Sequence, residues 1–276
     1  MDLKSEIERN VAAALAEDIG AADWTAMLTA ESQTSRASVI CRQKAVICGQ
    51  PWFELCFTKL DPHAVVKWLV PEGAAIDKGA SVCELAGNTR ALLTGERTGL
   101  NFLQTLSAVA TATRRYVELV AGTRAAIVDT RKTLPGLRLA QKYAVRVGGG
   151  TNHRLGLYDG VLIKENHIAA AGGITAALER ARRVAPADVW IQIEVETLTQ
   201  LEDALRAGAT MILLDNMSLD DMRQAVRAAA GRAQLEASGG VTLDTVRTIA
   251  ETGVDRISIG SLTKDIDAVD LSMRFA

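Results

Sequence analysis

From Thr123 onward the chain alternates short apolar runs with amphipathic segments at a regular spacing, and no other feature limits the architecture as strongly. Residues 125–129, 160–164, 189–195, 210–215, 234–238 and 256–260 read as strands, with helices at 198–207, 219–230 and 243–251 filling the gaps. Repeated βα units of this length call for a parallel sheet covered by helices, either open or closed into a barrel. The polar residues decide between them. Six strands end in, or run into, a functional group: Asp129 with Arg131 and Lys132, Lys164, Glu194, Asp215, Ser238-Gly239-Gly240, and Gly260-Ser261. A barrel gathers its strand C-termini at one mouth, whereas an open sheet spreads them along an edge. One polar strand end is ordinary; six in series favour the barrel. About six repeats are visible, so the barrel is expected to be incomplete.

The first part has another texture. Residues 37–41, 64–70 and 81–85 are strand-like and separated by the turns Pro71-Glu72-Gly73 and Asp77-Lys78-Gly79, which predicts a small antiparallel sheet. Residues 1–19 mix charges with apolar residues at helical spacing, which suits an amphipathic helix and lacks the apolar core of a signal peptide. Across 91–120, Leu92, Leu100, Leu103, Leu106 and Val109 form one apolar face, so one long helix, or two in series, links the halves. No apolar run is long enough to span a bilayer, and a net charge of −2 argues against a general nucleic-acid binder. Cys41, Cys48, Cys56 and Cys83 lack paired spacing, so free thiols in a reducing cytoplasm are expected rather than disulfides or a zinc site.

Fixed positive charge is concentrated in one stretch. Between Arg131 and Lys164 the only acid is Asp159, so self-repulsion must be offset by solvent or a bound anion. Arg131, His153, Arg154 and Lys164 offer two guanidiniums able to grip carboxylates bidentately, an ammonium and an imidazole, a set suited to a small polyanion. Arg138, Lys142 and Arg146 repeat along one helix face, where solvation is the ordinary account of Arg138 and Arg146; His167 fits a satisfied loop histidine equally well. Ser238-Gly239-Gly240, before a helix expected to begin near Thr242, and Gly260-Ser261 read as a phosphate site built from close backbone N–H groups and a helix dipole. Glu194 and Asp215 end adjacent strands. They suit Mg²⁺, ribose hydroxyls, or ion pairs with the cationic cluster.

Longer motifs then add a resemblance. Leu15-Ala16-Glu17-Asp18, the run from Gly95 to Gln104, Asp129-Thr130-Arg131-Lys132-Thr133-Leu134-Pro135-Gly136-Leu137-Arg138, Gly148-Gly149-Gly150-Thr151-Asn152-His153-Arg154, Leu162-Ile163-Lys164-Glu165-Asn166-His167, Glu194-Val195-Glu196, Leu214-Asp215-Asn216 and Ser238-Gly239-Gly240 together resemble the quinolinate phosphoribosyltransferases over nearly the whole chain. The resemblance implies an α/β fold with an N-terminal α/β sandwich domain (residues 1–110, joined by a returning tail, 266–276) and an incomplete parallel α/β barrel (residues 111–265). It implies quinolinate and phosphoribosyl pyrophosphate as substrates, Mg²⁺ as cofactor, and a cytoplasmic homodimer with shared active sites and no nucleic-acid or membrane partner. Arg97 would reach the site from the neighbouring subunit. Arg131, His153, Arg154 and Lys164 would line the quinolinate pocket, with Thr130 also in contact with substrate and Lys132 and Lys164 reaching phosphoribosyl pyrophosphate. Glu194 and Asp215 would hold ribose hydroxyls and the Mg²⁺–pyrophosphate group. Ser238, Gly239, Gly240, Gly260 and Ser261 would bind the 5′-phosphate, and Lys132, Lys164, Glu194 and Asp215 would be the catalytic set.

Two positions depart from the family's pattern: Ala21-Ala22-Asp23-Trp24, where glycine more often precedes the aspartate, and Ser261, where alanine is common. Related chains encoded with molybdate transporters share the fold but depart at Lys164-Glu165-Asn166, which is retained here. Two rivals from other classes are a barrel lyase using Lys164 as a Schiff base and a non-catalytic protein that senses dicarboxylates or phosphosugars.

Overall fold

The computed structural model of the chain describes residues 2–276. Its contacts divide it into two units, one holding the residues up to Arg114 with Thr133–Gly149 and Thr263–Ala276, the other Arg115–Lys132 with Gly150–Leu262. The chain begins with α1 (Leu3–Ile19), β1 (Thr34–Cys41), β2 (Ala45–Val46), α2 (Gln50–Leu60), β3 (Val65–Trp68), β4 (Ala75–Ile76), β5 (Ser81–Asn88) and α3 (Thr89–Leu119). It continues through β6 (Ala126–Val128), α4 (Arg138–Val147), β7 (Gly160–Ile163), α5 (Glu165–Ala171), α6 (Ile174–Val184) and β8 (Trp190–Val195). The remaining elements are α7 (Leu198–Arg206), β9 (Met211–Asp215), α8 (Leu219–Ala229), β10 (Gln234–Ser238), α9 (Val246–Ala250), β11 (Arg256–Ser258), α10 (Ser261–Lys264) and β12 (Leu271–Phe275). Met1, where the first expected helix starts, lies outside the described residues. No helix among them is long and apolar enough to cross a membrane.

In the first unit, β12, β1, β5 and β3 form a four-stranded antiparallel sheet in that order. Alternation along β1 turns Ala37, Val39 and Cys41 inward, where they join Trp52, Phe53 and Phe57 of α2 and Leu92, Leu100 and Leu103 of α3 in one core. Burying each of those aromatic rings contributes roughly 1.5–3 kcal/mol. A carboxylate from elsewhere caps α2: Glu72 accepts the backbone N–H groups of Gly49 at 2.8 Å and Gln50 at 3.2 Å. Those donors have no partner within the helix, and a negative charge suits that end. The long helical texture is one helix, α3, and residues Thr133–Gly149, which lie inside the βα half of the sequence, pack with this unit. All four cysteines are free and buried.

In the second unit, the strands lie in the order β6-β11-β10-β9-β8-β7, every pair parallel. Neighbours in the sequence are neighbours in this sheet except β6 and β7. The order is therefore that of a barrel interrupted between its first and second strands, and all strand C-termini face one way. Amphipathic helices cover the outside through Leu178 and Ala181, Leu201 and Ala204, and Met222 and Ala225. Thr197 caps α7 by accepting the Gln200 N–H, and Ser218 caps α8 through that of Asp221. The helix expected from 243 to 251 is only Val246–Ala250. Residues 243–245 form the turn that leads into it: the Val246 N–H already reaches the Thr242 carbonyl at 3.0 Å, and Thr245 Oγ1 caps the otherwise unpaired Thr242 N–H at 3.0 Å.

Candidate active site

The end of β6 is anchored by a buried carboxylate. Asp129 is fully buried and accepts the His153 N–H at 2.9 Å and Asn152 Nδ2 at 2.6 Å, while Thr151 bridges β6 through bonds with Ile127 and Asp129. Hydrogen bonds to both oxygens offset the cost of burying this carboxylate, and its donors fix the turn that carries His153 and Arg154. One residue further, Thr130 Oγ1 accepts the Lys132 N–H. The Lys132 stem then crosses the adjacent strand end: a Cβ at Gly260 would lie 3.0 Å from Lys132 Cδ and 3.5 Å from Thr130 Oγ1. Glycine at 260 therefore leaves room for the Lys132 stem over the β11 end.

Arg154 donates from Nη1 to the Gly160 carbonyl at 3.0 Å. Burial, and then the charge of Arg131, push its guanidinium below the ordinary value. Arg131 Nε is itself buried without a hydrogen-bond partner among the described residues. Two partly buried guanidiniums thus face one another, and one has an unused donor, an arrangement that has the chemistry to accept a carboxylate. His153 behaves differently from a point contact. It is 8% exposed, its Nδ1 accepts the Arg154 N–H at 2.9 Å, and its Nε2 lies 2.9 Å from Gln192 Oε1. Both ring nitrogens are thus engaged by the protein, behind Arg154.

Lys164 follows β7 and ion-pairs with Glu194 of β8, Nζ to Oε2 at 3.0 Å. The lysine side chain is 50% exposed, and ion pairs of that exposure contribute about 0–1 kcal/mol, weak enough for a competing anion to displace. The exposed His167 accepts the Lys164 backbone N–H on Nδ1 at 3.0 Å, fixing the turn into α5. Next around the sheet, Asp215 ends β9 in register with Ser238 of β10. Asn216, with φ 52°, donates from Nδ2 to Asp215 Oδ2 at 3.0 Å and from its backbone N–H to the Ser238 carbonyl at 3.0 Å.

Gly239 and Gly240 have φ of 100° and 59° and lie exposed after β10. The helix behind them is short: α9 spans Val246–Ala250, entered through a turn closed by the Val246 N–H on the Thr242 carbonyl, so the dipole it offers is small. An anion there must be met by backbone N–H groups of the turn itself. Ser261 opens the four-residue α10 directly after Gly260.

The parallel order therefore gathers Thr130, Arg131, Lys132, Gly260, Ser261, Ser238, Gly239, Gly240, Asp215, Glu194 and Lys164 around one rim, with His153 and Arg154 at the β6 turn. Arg97 is exposed on α3 in the first unit. Lys142, expected on a charged helix face with Arg138 and Arg146, is instead 1% exposed; α4 turns that position inward with Ala144 and Val145. Sequence reasoning missed Gln192, Glu236 and Arg256, which meet inside the sheet. Their signal is a polar residue between apolar neighbours in a strand covered on both faces, as in Ile191-Gln192-Ile193 and Leu235-Glu236-Ala237.

Two sequence-family models match the chain: "Quinolinate phosphoribosyl transferase, N-terminal domain" at residues 23–107 and "Quinolinate phosphoribosyl transferase, C-terminal domain" at residues 109–274. The chain is 42% identical over 257 residues to a probable carboxylating nicotinate-nucleotide pyrophosphorylase of Bacillus subtilis, covering 93% of this chain and 89% of that protein. A Synechocystis protein of the same description is 43% identical over 263 residues, covering 94% and 89%. The solved nicotinate-nucleotide pyrophosphorylase of Francisella tularensis superimposes with a TM-score of 0.96 at 42% identity, covering 100% of this chain and 98% of that one.

Proposed function

Because the chain belongs to the quinolinate phosphoribosyltransferase family, we propose that it joins quinolinate to phosphoribosyl pyrophosphate and releases pyrophosphate and CO₂, leaving nicotinate mononucleotide for NAD synthesis. The observation that carries this reading is the Arg131–Arg154 pair: two half-buried guanidiniums, one donor unused, on the rim that also holds the glycine turn at 239–240. A dicarboxylate answers the first feature and a phosphosugar the second.

In this reading Arg131, Arg154 and Lys164 hold the two carboxylates and orient the pyridine nitrogen toward C1 of the ribose. The N–C1 bond forms as the C1–O bond to pyrophosphate breaks. The departing electron pair stays on that oxygen, where Lys132 and Lys164 offset its charge. Glu194 and Asp215 accept the ribose hydroxyls, Thr130 contacts the substrate, and Ser238, Gly239, Gly240, Gly260 and Ser261 receive the 5′-phosphate. Loss of the 2-carboxylate then leaves an electron pair on the ring carbon beside the cationic nitrogen, which surrounding positive charge stabilises until a proton arrives. No covalent nucleophile is required, so the chain's contribution is positioning and electrostatics.

Among the described residues no group of three His, Cys, Asp or Glu gathers, and Glu194 is already paired with Lys164. Such a donor set suits Mg²⁺, which takes one or two carboxylates and completes its shell with substrate oxygens and water. Glu194 and Asp215 would hold it, directly or through water, and when bound it would neutralise charge on the pyrophosphate. We read the working form as a cytoplasmic homodimer in which Arg97 completes the neighbouring subunit's site; four free buried thiols fit a reducing compartment. The test is formation of nicotinate mononucleotide from quinolinate and phosphoribosyl pyrophosphate, with nicotinate as control substrate. Product from quinolinate alone supports the reading, and absence of quinolinate-dependent pyrophosphate release overturns it.

A further inference from the structure

Glu236 is a charged residue with no exposed surface in the middle of β10, and the reaction outlined above makes no use of it. Its Oε2 accepts Gln192 Nε2 at 3.2 Å and lies 3.2 Å from Arg256 Nε, whose side chain is 13% exposed. Its Oε1 lies 3.6 Å from His153 Nε2 and has no hydrogen-bond partner among the described residues. Trp190 closes another side of the imidazole, edge to face at 5.0 Å.

These contacts fix the direction of every proton in the line. A carboxylate can only accept, so Gln192 must turn its NH₂ to Glu236 and its carbonyl oxygen to His153. His153 Nε2 must then be the protonated nitrogen, which leaves Nδ1 as the acceptor that the Arg154 N–H requires. A chain of bonds running one way into an anion reinforces itself in a low-dielectric interior. Arg154 in turn must keep its place against the charge of Arg131, so an anchor behind it has a purpose.

We propose that Glu236 is a positioning residue for the dicarboxylate subsite: through Gln192 it locks His153 as the Nε2–H tautomer, and His153 Nδ1 holds the backbone N–H of Arg154. The role of the subsite rests on the reaction proposed above; the tautomer does not. Glu236→Gln keeps the shape but removes the obligate acceptor, so Gln192 can turn over and His153 can carry its proton on Nδ1, facing the Arg154 N–H. Because that variant leaves Arg256 buried without its carboxylate, Glu236→Gln/Arg256→Met is made alongside it to remove both charges.

The chain has only three histidines, so two-bond ¹H–¹⁵N correlation spectra of ¹⁵N-histidine-labelled protein resolve each ring. The wild type is expected to show His153 as the Nε2–H tautomer, and both variants to lose that pattern. In steady state, KM for quinolinate should rise about tenfold or more in both variants, with kcat and the KM for phosphoribosyl pyrophosphate little changed. A merely structural ion pair predicts that the double variant regains wild-type behaviour. A wild-type tautomer or an unchanged quinolinate KM in the double variant overturns the inference. Lack of any turnover by the wild type counts against the proposed reaction instead, and the spectra still decide whether Glu236 sets the ring.

Discussion

Replacing Gly239 by alanine tests whether the turn after β10 is tuned to hold an anion and to place Asp215. The residue sits at φ 100°, a conformation that costs a non-glycine residue about 1–3 kcal/mol. A Cβ there would lie 2.0 Å from Asn216 Oδ1. The overlap is relieved by turning the Asn216 amide, which breaks its 3.0 Å bond to Asp215 Oδ2, a loss of about 0.5–1.5 kcal/mol. Gly240 supplies the internal comparison: its φ is 59° and a Cβ would meet nothing within 4 Å, so alanine there carries only the backbone penalty. If about 2 kcal/mol of the Gly239→Ala cost falls on the bound phosphosugar, kcat/KM for phosphoribosyl pyrophosphate drops about thirtyfold. Gly240→Ala should lose severalfold less. Steady-state titrations of phosphoribosyl pyrophosphate at saturating quinolinate measure both, with thermal melts to report the stability component. Equal losses in the two variants would refute the argument that Asn216 transmits the strain to Asp215.

Arg131→Ala and Lys164→Ala should each abolish most turnover while the far-UV spectrum and melting profile stay near wild type; unchanged quinolinate-dependent pyrophosphate release in either would remove that residue from the site. An Arg97→Ala chain mixed with a Lys164→Ala chain should regain activity in heterodimers, and inactivity after demonstrated subunit exchange would disprove the shared site. Burial pushes the Cys56 and Cys83 thiols from the ordinary 9.0 up to about 12, so between those pH values the unfolded chain has released protons that the folded chain keeps. Stability should therefore fall as pH rises through that window in urea melts, and Cys56→Ala or Cys83→Ala should flatten the fall if those thiols cause it.

The barrel was legible because its strands are covered on both faces and its functional groups fall at strand ends, two constraints written directly in residue order. The barrel's strand positions survive folding to within a residue or two, Gln234–Ser238 forming β10 as read, whereas β1 and β5 of the first unit each run three residues beyond the reading. The helix after Gly240 is shorter than read, Val246–Ala250, because residues 243–245 are used as a turn closed by the Thr242 carbonyl and capped by Thr245 Oγ1, and apolar periodicity carries no record of how a helix is entered. Lys142 misleads for a related reason. Spacing of four residues puts it in line with Arg138 and Arg146, but which side of a helix is covered depends on what packs there, and the segment Thr133–Gly149 belongs with the first unit despite its place in the sequence.

The interior polar line shows where the strand-end rule itself falls short. That rule assigns chemistry to the rim and packing to the barrel interior, yet Gln192, Glu236 and Arg256 lie one layer below the rim. As a stabilising device this arrangement is poor: a buried ion pair is often no better than well-packed apolar residues of the same volume, because desolvation consumes the attraction. Orientation gives it a use. Arg131 and Arg154 repel one another, and the Arg154 guanidinium keeps its place through Nη1 on the Gly160 carbonyl only as long as the turn that carries it stays fixed. Asp129 tethers that turn from the β6 side through His153 N–H and Asn152, and Glu236 reaches it from the β10 side through Gln192 and the imidazole. Two buried carboxylates thus hold one turn from opposite strands, as the proposed site for a rigid, planar dianion requires: cations placed before the ligand arrives, so that binding energy is not spent in gathering them.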